Sequence, residues 1–417
     1  MDSPSGFGSE QLLLALKGQK VVIPNLQNIF RKWPQGVNNE LENNQLVVDQ
    51  YLDSLLPEDD KRLAKLKASD FGFFGAAWWP EAPKENLRIV TIFSIWVFIP
   101  LGTILKDQLL IGKSYSFGMM IFKELDSEAG ILLNDFATSQ IFRADTVSYV
   151  RHCLGFCSYS YGECKVPQNH IIRSFEMIGN AICKVYNEDQ RRNLLNEIEL
   201  YIEMTEVEQE IRLSGSLPSV QSYWKYRMGT SAVRVSLSTN EYSKEFVAPQ
   251  SIFLHISMRK LWDKANEIIW ISSVNDIMSV KKELSQGSAE SLIPLLFIES
   301  GSAQMAVTSA IEMLRIAVEE FDECATKLTT TYINDEKASI PLQYFIEACQ
   351  FNCTGNLNWS LITKRYGIVA ATRWWEFYTD VVKDGGGKFA FEVELMHRKY
   401  GSIIRASPDE LHVKDPE

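Results

Sequence analysis

The sequence lacks an excess of positive charge. Lysine and arginine number 42 against 53 aspartates and glutamates, which gives a net charge of −11 and a pI of about 5.2. A chain this acidic repels polyanions and anionic lipid surfaces, so nucleic acid is excluded as its main partner. An anionic ligand would need local cations, supplied by Lys and Arg side chains or by metal ions.

Cysteine is also scarce, with seven in 417 residues. That usage is typical of reduced thiols in a reducing compartment. Cys153, Cys157 and Cys164 lie near His152 and His170 in the sequence, but their spacings match no zinc pattern. Buried free thiols are therefore predicted.

A secretory signal and a membrane-length apolar run are missing as well. Residues 1–10 show no basic, apolar, small-residue progression. The apolar run Val90 to Leu105 is shorter than the ~20 residues that a membrane span requires, and it contains Pro100 and Gly102. The sequence predicts a cytoplasmic protein with no stable membrane anchor, either a monomer or a homodimer.

Strand patterns, internal repeats and low-complexity blocks are absent too. Apolar residues recur at helical spacing and prolines interrupt them, so the predicted fold class is all-α. The predicted organisation is one large domain of residues 21–405, between a flexible leader (1–20) and a tail (406–417). Predicted helices include Phe71–Trp79, Val90–Leu105, Glu188–Leu213, Ser219–Ser238, Gln343–Phe351 and Leu357–Tyr366. Since 46% of the residues are hydrophobic and 11% aromatic, such helices can enclose a central apolar cavity.

One stretch, Asn275 to Glu283, carries a pattern that indicates ion binding. Read as a helix, it places Asn275, Ser279 and Glu283 at i, i+4 and i+8, on one polar stripe within ~80° of arc. Amide, hydroxyl and carboxylate oxygens are the ligands that Mg²⁺ prefers. The stripe follows the apolar run Ile268–Ile271, and a polar stripe that enters an apolar interior needs a compensating ligand. The alternative is an ordinary helix with a solvated polar face.

Two basic elements flank this stretch. Arg227 lies 48 residues (275 − 227) before Asn275, and Arg365-Tyr366 begins 82 residues (365 − 283) after Glu283. An arginine can donate bidentate hydrogen bonds to phosphate oxygens, and a tyrosine can donate one.

The ordered trio resembles the signature of the class I terpene synthases, in particular the fungal cyclases. Their signature is Asn-Asp-x-x-Ser-x-x-Lys-Glu, an upstream diphosphate-sensing arginine and a downstream Arg-Tyr pair. The resemblance extends over most of the chain. Further landmarks are Ile23-Pro24 to Trp33-Pro34, Trp78-Trp79-Pro80, Tyr149 to Gly155 and Ile202 to Thr205.

The resemblance implies a single class I terpenoid synthase α-helical domain and a Mg²⁺-dependent lyase that acts on a prenyl diphosphate. It implies Asn275, Ser279 and Glu283 as metal ligands. It also implies that Arg227, Arg365 and Tyr366 bind the diphosphate.

One landmark of that family is absent. Its Asp-rich metal motif would place carboxylates at Leu101, Gly102 and Leu105, after Trp96-Val97-Phe98. Asp107 is either a substitute ligand or a surface acid at a helix end. Without the motif, the resemblance implies two Mg²⁺ ions rather than three, and protein cations must offset the remaining diphosphate charge.

Lys282 is the further cation candidate. It lies i+4 from Met278, and it is either a diphosphate ligand or a solvated neighbour of Lys281. A reduced Asp motif with a lysine-assisted site resembles the noncanonical humulene synthases of fungal tropolone-sesquiterpenoid pathways. That resemblance implies farnesyl diphosphate as substrate, a humulene as product and Met278 as a cavity-lining residue.

Aromatic side chains are expected to line the cavity, since ring faces stabilise carbocations by ~0.5–2 kcal/mol per contact. Phe93 and Trp96 are the chosen candidates. Two other functions stay open at this point. One is a prenyltransferase, which would need two Asp-rich motifs, and the other is a non-catalytic prenyl-diphosphate-binding relative.

Overall fold

A computed structural model describes residues 8–19, 21–56, 61–98, 135–157, 166–272, 277, 289–362, 368–370, 403–407 and 410–413. Elements are numbered along these residues. The first group of helices is α1 (Ser9–Leu16), α2 (Leu41–Leu55), α3 (Lys61–Ala68), α4 (Phe71–Trp78) and α5 (Lys84–Phe98). The second is α6 (Phe136–Cys153), α7 (His170–Arg173), α8 (Phe175–Val185), α9 (Glu188–Leu213), α10 (Val220–Thr230) and α11 (Val233–Leu237). The third is α12 (Asn240–Lys244), α13 (Gln250–Leu254), α14 (Ile256–Ser272), α15 (Leu292–Ser300), α16 (Ala303–Tyr332) and α17 (Glu336–Ile362).

The all-α prediction is confirmed, with four short strands added. They are β1 (Ile23–Pro24), β2 (Ile368–Ala370), β3 (Ile403–Ser407) and β4 (Glu410–Val413), in the sheet order β1-β4-β3-β2. β4 is antiparallel to β1 and β3, whereas β2 runs parallel to β3. In the described part of the chain, no helix has the length and apolar character to cross a bilayer.

Local sequence signals explain where several helices begin. Asp70 caps α4, because its carboxylate accepts a hydrogen bond from the Phe73 amide at 3.2 Å. Asn187 and Gln190 form a capping box at the start of α9. The predicted helix Glu188–Leu213 is confirmed at both ends. Within the predicted leader, residues 9–16 form α1 and bury Leu12.

Three of the predicted helices do not match the helices of the structure. The helix predicted over Ser219–Ser238 is broken into α10 and α11 at Ala232, whose φ of 59° lies in the left-handed region. Gln343–Phe351 and Leu357–Tyr366 were predicted as separate helices, but α17 runs without interruption from Glu336 to Ile362. Tertiary packing overrides the weak local preference of Gly355 for a break.

The thiol prediction is confirmed in part. Cys324, Cys349 and Cys353 are free and buried, while Cys153 and Cys183 are free and less buried. Cys157 is disulfide-bonded, so the prediction of reduced thiols is wrong at this position.

The core is organised around α4, which packs against α2 and α17, and around α14, which packs against α16. A buried amide chain fixes the end of α4. Asn240 accepts from the Trp79 indole at 3.1 Å and donates to Asn352 at 2.8 Å, and Asn352 donates to the Trp78 carbonyl at 2.9 Å. Satisfied buried amides of this kind specify one packing arrangement. They hold the Trp78-Trp79-Pro80 landmark against α12 and α17.

Candidate active site

Arg227 lies in the last turn of α10 with 0% of its surface exposed. Tyr223 and Tyr226 beside it are also buried, with their rings edge to face at 5.4 Å. A guanidinium in such surroundings is far from bulk water, so its attraction for an anion is less screened than at the surface. This is the environment that a diphosphate-binding arginine requires.

Asn266 ties the end of α10 to α14. Its amide nitrogen donates to the Met228 carbonyl at 2.7 Å, and its amide oxygen accepts from the Ser231 hydroxyl at 2.7 Å. Asn266 is fully buried. Because α14 leads directly to Asn275, the helix that carries Arg227 and the helix that precedes the predicted metal stripe are held in a fixed relation.

Trp96 borders an apolar cavity between α5, α6, α9 and α11. Its indole donates to the Ile171 carbonyl at 2.9 Å, which fixes the ring. The other lining residues described are Val97, Phe142, Arg143, Thr146, Ile198, Tyr201, Ile202 and Val235. Phe93 stacks on Trp96 with centroids 6.3 Å apart and lies within the core. Phe93 therefore supports Trp96 from behind, and its contact with substrate stays a prediction.

Tyr201 lines this cavity and lies within electrostatic range of Arg227. Its hydroxyl donates to the Val97 carbonyl at 3.4 Å. Burial raises the pKa of the Tyr201 phenol above its usual value, and the Glu208 carboxylate adds to this, while the charges of Arg227 and Arg143 oppose it. The phenol thus stays protonated near neutral pH and lies within electrostatic range of both guanidinium groups.

Arg143 is a buried cation at the cavity that the sequence patterns did not single out. Its Nη2 donates to the Gln209 side chain at 2.6 Å, and its Nε donates to the Thr205 hydroxyl at 3.1 Å. Within the described residues, Nη1 is buried and has no hydrogen-bond acceptor. Burial lowers the pKa of the Arg143 guanidinium, but an arginine stays charged nonetheless.

A helical pattern in the sequence could have indicated this position. Arg143, Thr146 and Val150 share one face of α6 at i, i+3 and i+7, and all three are buried. A charged residue on an otherwise buried stripe marks a site that needs a compensating group. Tyr201 has no comparable signal, since an aromatic residue on a buried face is ordinary core.

Most of the predicted site residues lie outside the described part of the chain. Of the predicted set, the structure describes Arg227, Trp96 and Phe93. The others are Asn275, Met278, Ser279, Lys282, Glu283, Arg365 and Tyr366, and the absent Asp-rich motif at Leu101, Gly102 and Leu105 also falls outside, as does Asp107.

The predicted metal ligands fit a hard divalent cation by the chemistry of their donor atoms. Asn275, Ser279 and Glu283 offer only oxygen, as Mg²⁺ requires. Core packing flanks the first of them, because Ile271 at the end of α14 and Ile277 are both fully buried. Among the described residues, no group of three or more His, Cys, Asp or Glu side chains forms a competing metal site.

Comparison with known proteins gives matches along most of the chain. A family model described as "Terpene synthase family 2, C-terminal metal binding" matches residues 133–320. Sesquiterpene cyclase hepA of Aspergillus oryzae is 30% identical over 383 residues, which cover 89% of this chain and 93% of that protein. Terpene cyclase braA of Annulohypoxylon truncatum is 24% identical over 363 residues, covering 85% and 88%.

Solved structures share the fold. A variant cucumene synthase superposes with a TM-score of 0.61 at 16% identity, covering 80% of this chain and 98% of its own. An α-eudesmol synthase gives a TM-score of 0.62 at 16% identity, covering 79% and 97%.

A second kind of match is short and of higher identity. Cytochrome P450 monooxygenase tndB of Aspergillus flavipes is 52% identical over 50 residues, which are 12% of this chain and 10% of that protein. A cytochrome P450 monooxygenase of Ascocoryne sarcoides matches at 52% over 50 residues, again 12% of this chain and 9% of the other. The chain thus spans about a tenth of the length of these two relatives.

Proposed function

Because the chain belongs to the fungal sesquiterpene cyclase family, within terpene synthase family 2, we propose that it ionises farnesyl diphosphate and cyclises the carbocation to a humulene. Family and fold together make the protein a class I terpene cyclase, a lyase that acts on a prenyl diphosphate. One observation carries the proposal. It is the fully buried Arg227 on a helix that Asn266 locks to α14, directly before the oxygen-rich stripe.

The stripe and the arginine have complementary tasks. Asn275, Ser279 and Glu283 would hold two Mg²⁺ ions, which would supply Lewis-acid charge to the diphosphate when bound. Arg227 donates to phosphate oxygens from a dry environment, where a charge-assisted hydrogen bond is strong. Arg365, Tyr366 and Lys282 add donors, which offsets the charge missing with the Asp-rich motif.

The described cavity beside Trp96 has a volume of only about 20 Å³, too small for a farnesyl chain, so we propose it as one end of the chamber in which the carbocation cyclises. Its described walls are mainly apolar, so water that would trap a carbocation is kept out. The indole face of Trp96 and the ring of Tyr201 can stabilise positive charge as it moves along the carbon chain of the substrate. Met278 is proposed to lie one turn from the diphosphate and to shape the geometry of ring closure. A cytoplasmic location and a monomeric or homodimeric state remain predictions.

Incubating the purified full chain with farnesyl diphosphate, with and without Mg²⁺, tests the proposal. We expect a Mg²⁺-dependent volatile hydrocarbon with the mass spectrum of a humulene. An elongated or acceptor-linked product would instead indicate a prenyltransferase, and binding without turnover would indicate a non-catalytic relative. No turnover of farnesyl, geranyl or geranylgeranyl diphosphate would refute the cyclase proposal.

Alanine variants of Lys282 and of its neighbour Lys281 test whether Lys282 is a diphosphate ligand or a solvated surface residue. Removing one preorganised donor to a developing anion costs about 10²–10³ in turnover, so Lys282→Ala should lower kcat by at least about 100-fold. Lys281→Ala is the matched control and should stay within a few-fold of the wild type. Equal activities of the two variants would indicate that Lys282 is a solvated surface residue and does not bind the diphosphate.

A further inference from the structure

The chain is similar to two kinds of protein, cyclases and cytochrome P450 monooxygenases, and the two matches differ in length and in sequence identity. The cyclase relative from Aspergillus oryzae is 30% identical and accounts for 89% of the chain. The two cytochrome P450 matches are 52% identical and account for 12%. The two shares add up to about the whole chain, which allows the two similarities to lie in separate segments. Two evolutionary origins explain such a division better than a single family does.

The cyclase fold requires only part of the chain. The cucumene synthase structure is covered to 98%, yet it uses only 80% of this chain. The family signature in the sequence ends with Arg365-Tyr366, and α17 ends at Ile362. Residues 368–417 follow, and this segment has the 50-residue length of the cytochrome P450 matches.

The secondary structure changes class at the same point. All described residues before Ile362 form helices and their connections, apart from the two residues of β1. All described residues after it are strands, namely β2, β3 and β4. β3 pairs with β4 from Ile403↔Val413 to Ser407↔Glu410, and with β2 from Ile368↔Ile403 to Ala370↔Arg405. The backbone groups of these strands are thus satisfied mainly by one another.

We propose that the chain is composite, with the similarity to cytochrome P450 monooxygenases lying in residues 368–417, joined to a cyclase that is complete without them. The segment then contributes no group to the cyclase site, and the last residues needed for cyclisation are Arg365-Tyr366. This inference rests on the proposed function for its activity readout and on the fold for its stability readout.

The test compares the full chain with a chain ending at Ala370. Retaining β2 places the new terminal carboxylate four positions after Tyr366 in the sequence. We expect the shortened chain to keep kcat/KM within about threefold, the same product profile and the same thermal unfolding midpoint. A folded shortened chain with more than a tenfold loss of turnover would overturn the proposal.

A second variant covers the case in which the shortened chain does not fold. Leu411→Pro in the full chain removes the amide of a residue that pairs with both Ile23 and Arg405. Unchanged turnover in this variant supports the composite chain, and lost turnover overturns it. If the full chain itself turns over no prenyl diphosphate, the proposed function fails. The unfolding midpoints then decide whether residues 368–417 belong to the cyclase fold.

Discussion

At the scale of single residues, Glu241 is a carboxyl placed where its charge is costly. It is 5% exposed, and its Oε1 accepts from the Ala248 amide at 2.8 Å and from the Gln190 side chain at 3.0 Å. Burial raises the pKa of Glu241 to about 7, although both hydrogen bonds act in the opposite direction. The folded protein therefore holds this proton over a pH range in which the unfolded chain has released it.

Glu241→Gln should become more stable relative to the wild type as pH rises. Between the unfolded pKa near 4.5 and the folded pKa of about 7, the folded state binds one proton more, so the wild type loses unfolding free energy with pH. The glutamine keeps the accepting Oε1 and has no charge. We expect the difference to grow by on the order of 3 kcal/mol from pH 4 to pH 8.

Urea unfolding at several pH values measures this difference. Glu319→Gln, on the exposed face of α16, is the control and should show no such trend. A constant difference for Glu241→Gln across the pH range would mean that Glu241 has the same pKa in the folded and the unfolded protein.

At the scale of elements, the contact between α4 and α17 depends on Gly355. A Cβ at this position would lie 2.9 Å from the Trp78 amide nitrogen and would also collide with the Ala77 carbonyl group. Both are backbone atoms in the middle of the core, so no side-chain rotation can make room. This explains why a residue that disfavours helices stands inside α17.

Gly355→Ala should therefore lower stability despite the better helix propensity of alanine. The propensity gain is about 1 kcal/mol, and overpacking costs typically 1–3 kcal/mol and more where backbone must move. A lower thermal midpoint by circular dichroism is the expected result. Gly8→Ala, where a Cβ meets nothing within 4 Å, is the matched control. A Gly355→Ala protein as stable as wild type would show that α4 and α17 can separate freely.

The same contact shows why helix limits were predicted unevenly. Glu188–Leu213 was predicted correctly because its caps are local signals in the sequence. The uninterrupted helix α17 was not predicted correctly. The glycine inside it is favoured by close packing against α4, which lies 270 or more positions before it in the chain. The break at Ala232 likewise follows a contact with a distant element, because Asn266 of α14 binds the Met228 carbonyl and the Ser231 hydroxyl just before it.

At the scale of the whole molecule, a net charge of −11 opposes the binding of a trianionic leaving group. The cations must therefore be concentrated at the site. Mg²⁺ and inorganic diphosphate together should raise the thermal midpoint by a few degrees, since a ligand at 100 times its Kd stabilises by about 2.7 kcal/mol. Mg²⁺ alone or diphosphate alone should change the thermal midpoint little. The Arg227→Met variant should show a smaller rise of the midpoint with both ligands present.

Differential scanning fluorimetry of the full chain measures the shift. Mg²⁺ alone, diphosphate alone and diphosphate with EDTA serve as controls. An equal shift from diphosphate without metal would mean that protein cations hold the anion unaided. The oxygen-rich stripe would then have no part in binding.

The sequence by itself determined the fold class and the family resemblance, and it predicted that Arg227 binds the diphosphate. Those properties follow from residue spacings in the sequence, such as the i, i+4, i+8 stripe and the order of the basic elements around it. Only the tertiary structure placed Arg143 and Tyr201 beside Trp96 and joined Asn266 to the end of α10. It also raised the pKa of Glu241. These properties arise between elements distant in sequence, where burial and contact decide the energy and no local pattern records them.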